Sequence, residues 1–196
     1  MTKLLRRIGS FDPIPTPHPA PTMPTLSANA ADLRASDRPS PLPRILRTGL
    51  VTGVVDGIWA IVLVTVFYHS TFARLWQGVA ATLLGQKAFD GGARTIAIGL
   101  LMHFGVALGW SAVFVLLADR WRGLDRLLAS RWGTLKVAAI YGPFIWMVMS
   151  LIVIPALTRR PPRITVRWLI QLLGHIPFVG LPIVATAGRS PRAPAS

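Results

Sequence analysis

GLVTGVVDGIWAIVLVTVFY, residues 49–68, is a run of twenty residues with one charge, Asp56. About twenty consecutive apolar residues span the hydrocarbon core of a bilayer. Gly49, Gly53 and Gly57 fall one per helical turn. That spacing lets a second helix approach closely, which is how helices pack where lipid and side chain are equally apolar. Thr52 precedes Asp56 by four residues, so both lie on one face beside the glycine groove. A carboxylate at this depth is costly unless paired or protonated, so Asp56 is expected to face protein.

Outward from this stretch the pattern recurs three times. Residues 95–118 form a second span whose only ionisable group is His103, with Gly99 and Ala107 on its face and Gly105 and Gly109 as a second close-approach pair. Residues 135–157 form a third, with Pro143 expected to kink it and Pro155 to end it. Residues 168–187 form the fourth, where Gln171 and His175 share a face beside Gly174 and Pro177 and Pro182 weaken the later half. The link TRRPPRITVR is short, so spans three and four should be antiparallel neighbours. Between spans one and two, Phe72, Leu75, Trp76, Val79 and Leu83 make one apolar stripe. It reads as a helix over about 71–86, lying in the membrane interface with Trp76 at headgroup level; packing against the bundle is the competing reading. In the loop ADRWRGLDRLLASRWGTLK, Trp121, Leu124 and Leu128 suggest a short interfacial turn.

Composition agrees. The chain of 196 residues is 52% hydrophobic with a net charge of +14 and a mean hydropathy of +0.52. High apolarity with high positive charge fits a polytopic membrane protein with basic loops. The Arg residues sit at the ends of apolar runs rather than along one soluble face, so the expected partner is the lipid bilayer and not nucleic acid. There is no Cys, which excludes disulfides and thiolate chemistry. The acids are all Asp, and Arg far outnumbers Lys, a bias that suggests a GC-rich bacterial genome.

Residues 1–44 hold nine prolines and no apolar period, so they read as a disordered, Pro-rich tail. Arg6-Arg7 is twin-arginine-like, but DPIPTPHP follows where an apolar core is needed, so the first span is expected to direct insertion. His18 in this tail reads as a solvated side chain. Residues 45–188 form the four-span bundle and 189–196 a short basic tail. Fourteen Lys and Arg fall on one side of the spans and seven on the other, which places both termini in the cytoplasm. The four Arg at 159, 160, 163 and 167 work against that count; anchoring the hairpin is preferred over contact with anionic lipid.

The candidate site is the buried polar set Asp56, His103, His175 and Gln171. With span one starting at 49, the two histidines share a level, and Asp56 lies roughly 8–10 Å below them at ~1.5 Å per residue. The leading expectation is a non-enzymatic membrane protein whose polar groups tie its helices together. One rival is a proton- or cation-coupled transporter or channel component, with Asp56 and the histidines as a relay and a homo-oligomer formed through the Gly49/Gly53/Gly57 face. Another is bis-histidine haem b between spans two and four. No metal site is expected, since zinc needs more ligands than Asp56 adds.

Enzyme motifs fail on inspection. Asp90-Gly91-Gly92-Ala93-Arg94 resembles the start of a CDP-alcohol phosphotransferase signature, but the later paired Asp residues are missing. Gly109-Trp110-Ser111 lacks the second glycine of a nucleophile elbow. Ser111 and Ser150 have no evident base, and no phosphate-binding glycine pattern occurs.

One family likeness does emerge. MHFGVALGWSAVFVLLAD, the glycine-rich opening GLVTGVVDGIWA and Gly174-His175 in the last span together resemble the YagU-like group of small bacterial inner-membrane proteins. The likeness covers residues 49–187. It implies an inner-membrane location and a suggested link to acid tolerance, and it brings no active-site residue with it.

Overall fold

The computed structural model describes residues 40–187. Residues 1–39 of the tail expected over 1–44, with His18 among them, and the basic tail expected over 189–196 lie outside the described residues. All regular structure in the described part is helical: α1 (Leu42–Phe67), α2 (Phe72–Leu84), α3 (Gly92–Arg120), α4 (Arg122–Ala129), α5 (Gly133–Thr158) and α6 (Val166–Ala187). This is an all-α protein. The helices α1, α3, α5 and α6 are each long and apolar enough to cross a membrane.

Their outward faces carry many large apolar side chains, including Leu101 at 75% exposure, Ile140, Ile152 and Leu173. A soluble domain would bury such a surface; a lipid bilayer solvates it.

The first span begins earlier than expected. Leu42–Arg44, placed in the tail by their neighbouring prolines, are the first turn of α1. Pro41 precedes that turn and Pro43 sits inside it, where the missing N–H costs no intrahelical bond. The prolines therefore start the helix instead of preventing it.

Proline also fails to end the third span. Pro143 lies inside an unbroken helix, and α5 runs past Pro155 to Thr158. A π-helical turn, Met149–Val153, comes just before Pro155, and Arg159 closes the helix in a left-handed conformation. A second π turn, Ile176–Gly180, takes up Pro177 in α6. Such turns re-route the backbone ladder around a residue that cannot donate.

The helix between spans one and two exists, but not as an interfacial element. Thr71 caps α2 by accepting a hydrogen bond from the Arg74 amide at 3.2 Å. Trp76 is only 2% exposed and so does not sit among headgroups. Its backbone lies so close to Gly99 of α3 that no side chain fits there. The apolar stripe is thus spent on the bundle, the competing reading of the sequence. In the loop after α3, the expected turn is the helix α4, with Leu124 buried and Trp121 and Trp132 exposed.

The glycines divide into three groups. Gly49 packs on Leu108 and Gly53 on the Phe104 ring, so α1 and α3 run antiparallel in close contact. That face is covered by the chain's own α3, so it is not the surface for a second copy. Gly57 faces Trp76 and His103, and Gly174 faces the Trp59 indole. Gly105 and Gly109 have no neighbour within 4 Å and are not packing positions inside this bundle. Gly142, which the sequence did not single out, is the tightest crossing of α5 and α6: a Cβ there would collide with the His175 carbonyl. Gly180 meets Ala138 in the same way one turn further on. Spans three and four are the expected neighbours.

Candidate functional site

The helix ends set the depth of the polar groups. Counted from the end of the bundle at Phe67, Gly92 and Val166, hereafter the Tyr68 end, Asp56 lies about 17 Å deep at ~1.5 Å per residue. His103 lies about 17 Å and His175 about 14 Å deep on the same measure. The offset expected from the sequence closes mainly because α3 and α6 begin at Gly92 and Val166, earlier than 95 and 168, which sets both histidines deeper. All three residues sit near the middle of their helices.

They also come together laterally. Helix α1 packs against both α3 and α6, and Asp56 lies within electrostatic reach of both histidines. The His103 Nδ1 is 3.9 Å from the Asp56 carboxylate. On its other side, His103 Nε2–H donates to the Gly53 carbonyl at 2.9 Å. This glycine is needed twice: it lets the Phe104 ring approach, and its carbonyl accepts from an imidazole on another helix. His175 Nδ1–H donates to the Gln171 carbonyl, four residues earlier, at 2.7 Å. Gln171 therefore serves the site through its backbone.

Aromatic rings wall the site. Trp76 meets His103 edge-on at 5.0 Å, Phe104 does so at 5.5 Å, and Trp146 lies 4.8 Å from His175. Trp59 stacks on Phe178 at 4.4 Å. The indole N–H groups of Trp59, Trp76 and Trp146 are buried with no hydrogen-bond partner. The sequence reading sets Trp76 at headgroup level and Trp146 among the polar-capable groups of span three, and places none of the three in the candidate site. Trp168 differs: its indole donates to Ser150 Oγ at 2.9 Å, while Ser150 donates to the Trp146 carbonyl at 2.6 Å.

The hydrogen bonds fix the chemistry. A carbonyl only accepts, so His103 Nε2 carries a hydrogen in every state that keeps the Gly53 bond. Its Nδ1 then either holds a lone pair towards Asp56 or carries a second proton towards it. A lone pair facing a carboxylate is repulsive, so one proton belongs in that gap, on the acid or on the ring. Proton on Asp56 gives a neutral pair; proton on His103 gives an ion pair. The two states differ by the place of one proton, and moving it requires the 3.9 Å gap to close to hydrogen-bond distance or a water to bridge it. His175 is oriented likewise, with Nδ1 committed to its own helix and Nε2 the nitrogen that exchanges a proton.

The same geometry disagrees with bis-histidine haem. Axial ligation needs both imidazoles to face one iron across an open plane. Here both nitrogens of His103 are engaged, Nε2 by the Gly53 carbonyl and Nδ1 facing the Asp56 carboxylate, and His175 Nδ1 is tied to the Gln171 carbonyl. Among the described residues no three His, Cys, Asp or Glu side chains are grouped closely enough to hold a metal ion. No protein-family model, no curated protein and no solved structure matches this chain.

Proposed function

We propose that this chain is a non-enzymatic protein of a bacterial cytoplasmic membrane that takes up and releases a proton inside its bundle, as the coupling element of a small proton- or cation-coupled transporter or channel component. One observation carries the reading. His103 is locked by Gly53 into the tautomer that turns Nδ1 towards a carboxylate at mid-bundle. A group meant only to tie helices has no need of a second titratable partner; ionisable residues at this depth in pumps and transporters form proton relays. The excess of Lys and Arg on one side supports an orientation with the Arg44 end of α1 in the cytoplasm.

The test is proton flux in proteoliposomes loaded with a pH-sensitive dye. The expected result is a flux driven by a pH gradient that Asp56→Asn abolishes and His103→Gln lowers at least tenfold, both variants remaining folded. Wild-type flux in the Asp56→Asn variant would overturn the reading, as would the absence of flux in the wild type across a broad ion panel. A purely structural role is the second reading, favoured by the His103–Gly53 bond between α1 and α3. It predicts the opposite split, with stability lost in His103 variants and no flux to lose.

A further inference from the structure

Asp56 is the last of a row on α1: Arg44, Thr48, Thr52 and Asp56 recur every four residues and so share one face. Thr48 is 0% and Thr52 1% exposed, and Ser111 on α3 is 0% exposed. None of these three hydroxyls has a hydrogen-bond partner. Other helical hydroxyls in the chain behave differently. Thr65, Thr82, Thr95, Ser150, Thr158 and Thr186 each donate to a carbonyl of their own helix three or four residues earlier. That back-bond is the ordinary way to satisfy a hydroxyl in a membrane helix. Thr48, Thr52 and Ser111 forgo it while being the most deeply buried. A buried hydroxyl left unpaired is costly, so its retention calls for a partner that is not a protein group.

The antiparallel register supplies the order. Gly49 lies against Leu108 and Gly53 against Phe104, so Ser111 falls at the level between Thr48 and Arg44. At that end Arg44 Nη1 donates to Asp119 at 2.7 Å, and its Nε donates to the Ala187 carbonyl at 3.0 Å. Successive residues of the row are separated by about 6 Å of helix rise. A water bonded to two oxygens at about 2.8 Å each reaches at most about 5.6 Å, so each step takes one or two waters, and the stretch from Ser111 to Asp119, about 12 Å of helix rise, takes several.

We propose that Thr52, Thr48 and Ser111 form a water-bridged hydroxyl wire that connects Asp56 to the Arg44–Asp119 end of the bundle, with the Asp119 carboxylate as the acceptor at its mouth. A proton taken from bulk water passes from Asp119 along the wire. Each oxygen accepts one proton and releases its own. The net transfer is one proton to the Asp56 carboxylate, which becomes the neutral acid; return of the hydroxyls to their starting orientation completes the cycle. This route rests on the proton-relay reading above and adds which end of the protein the site exchanges with.

The experiment combines the proteoliposome flux assay with infrared hydrogen–deuterium exchange of the Asp56 carboxyl band in the full-length protein. Thr52→Val keeps shape and removes the hydroxyl. Flux and carboxyl exchange should each fall at least tenfold in Thr52→Val and severalfold in Thr48→Val and Ser111→Ala. Thr52→Ser should restore both, which a packing effect would not allow. Thr158→Val, outside the row, should match the wild type. Full flux and exchange in all three wire variants, with Asp56→Asn still inactive, would overturn the wire and leave the relay reading intact. Absence of flux in the wild type itself would overturn both.

Discussion

The two halves of this bundle are built by different means. Towards the Arg44 end, Phe114, Val115 and Ala118 of α3, Ala138, Tyr141 and Ile145 of α5 and Ile183, Val184 and Ala187 of α6 form one buried apolar cluster, closed by Leu124 of α4. Tyr141 donates there to the Trp110 carbonyl at 2.8 Å, and the hydroxyls without a partner in this half, Thr48, Thr52 and Ser111, are confined to α1 and α3. Towards the Tyr68 end, the interior is indole, imidazole and carboxylate, with three unpartnered indole N–H groups. There α1 and α5 carry π turns, and a short helix, α2, fills the space beside α3. The first half is packed for one arrangement. The second keeps groups that change protonation and hydrogen bonds that are not fully committed. Membrane proteins gain little from burying apolar groups away from lipid, so close backbone contact and polar pairing decide which half is rigid.

Mutations can break or sharpen that contrast. The largest effect belongs to the crossing between the halves. Gly142→Leu would drive a side chain into the His175 backbone, and a loss of about 4 kcal/mol or more is expected, read as failure to recover folded monomer in detergent. Next comes the apolar half. Phe114→Ala, at a fully buried site, should cost about 3 kcal/mol in reversible unfolding. A cost below about 1 kcal/mol would mean that this half is not the rigid one. Ser150→Ala removes both the Trp168 bond and the Trp146 bond; about 1–2 kcal/mol is expected from the stranded indole. Asp56→Asn should change stability by less than about 1 kcal/mol while abolishing flux, because it removes a charge that protein must already compensate. Smallest are Gly105→Leu and Gly109→Leu, on an open face; thermal midpoints within about 2 °C of the wild type are expected. A large loss at either would mean that the exposed face of α3 meets another chain.

Much of the candidate site was legible, and its assembly was not. Asp56, His103 and His175 stand out because ionisable residues in apolar spans are rare and dear. Their common depth is hidden in the sequence because the first residues of α3 and α6, Gly92–Arg94 and Val166–Arg167, carry glycine and arginine and read as loop. Trp76 was set among headgroups because an amphipathic stripe fits an interface and a bundle equally well. Gly142 escaped notice because a lone glycine says nothing about which backbone will cross it. Gly105 and Gly109 looked like a packing pair by spacing, yet spacing alone does not say whether that face meets a helix or lipid.

The sequence by itself determined the number of long helices and the solvent they fit, since length and apolarity are properties of each segment alone. Only the tertiary structure decided that α1 packs on both α3 and α6, that Asp56 lies within electrostatic reach of two histidines, and that Thr48, Thr52 and Ser111 are buried without a hydrogen-bond partner. The reason is physical. Hydropathy measures transfer from water, and in a bilayer a neighbouring helix and a lipid chain are nearly equal by that measure. Which face meets which helix is set by backbone approach and hydrogen-bond geometry, and those exist only once the helices have met.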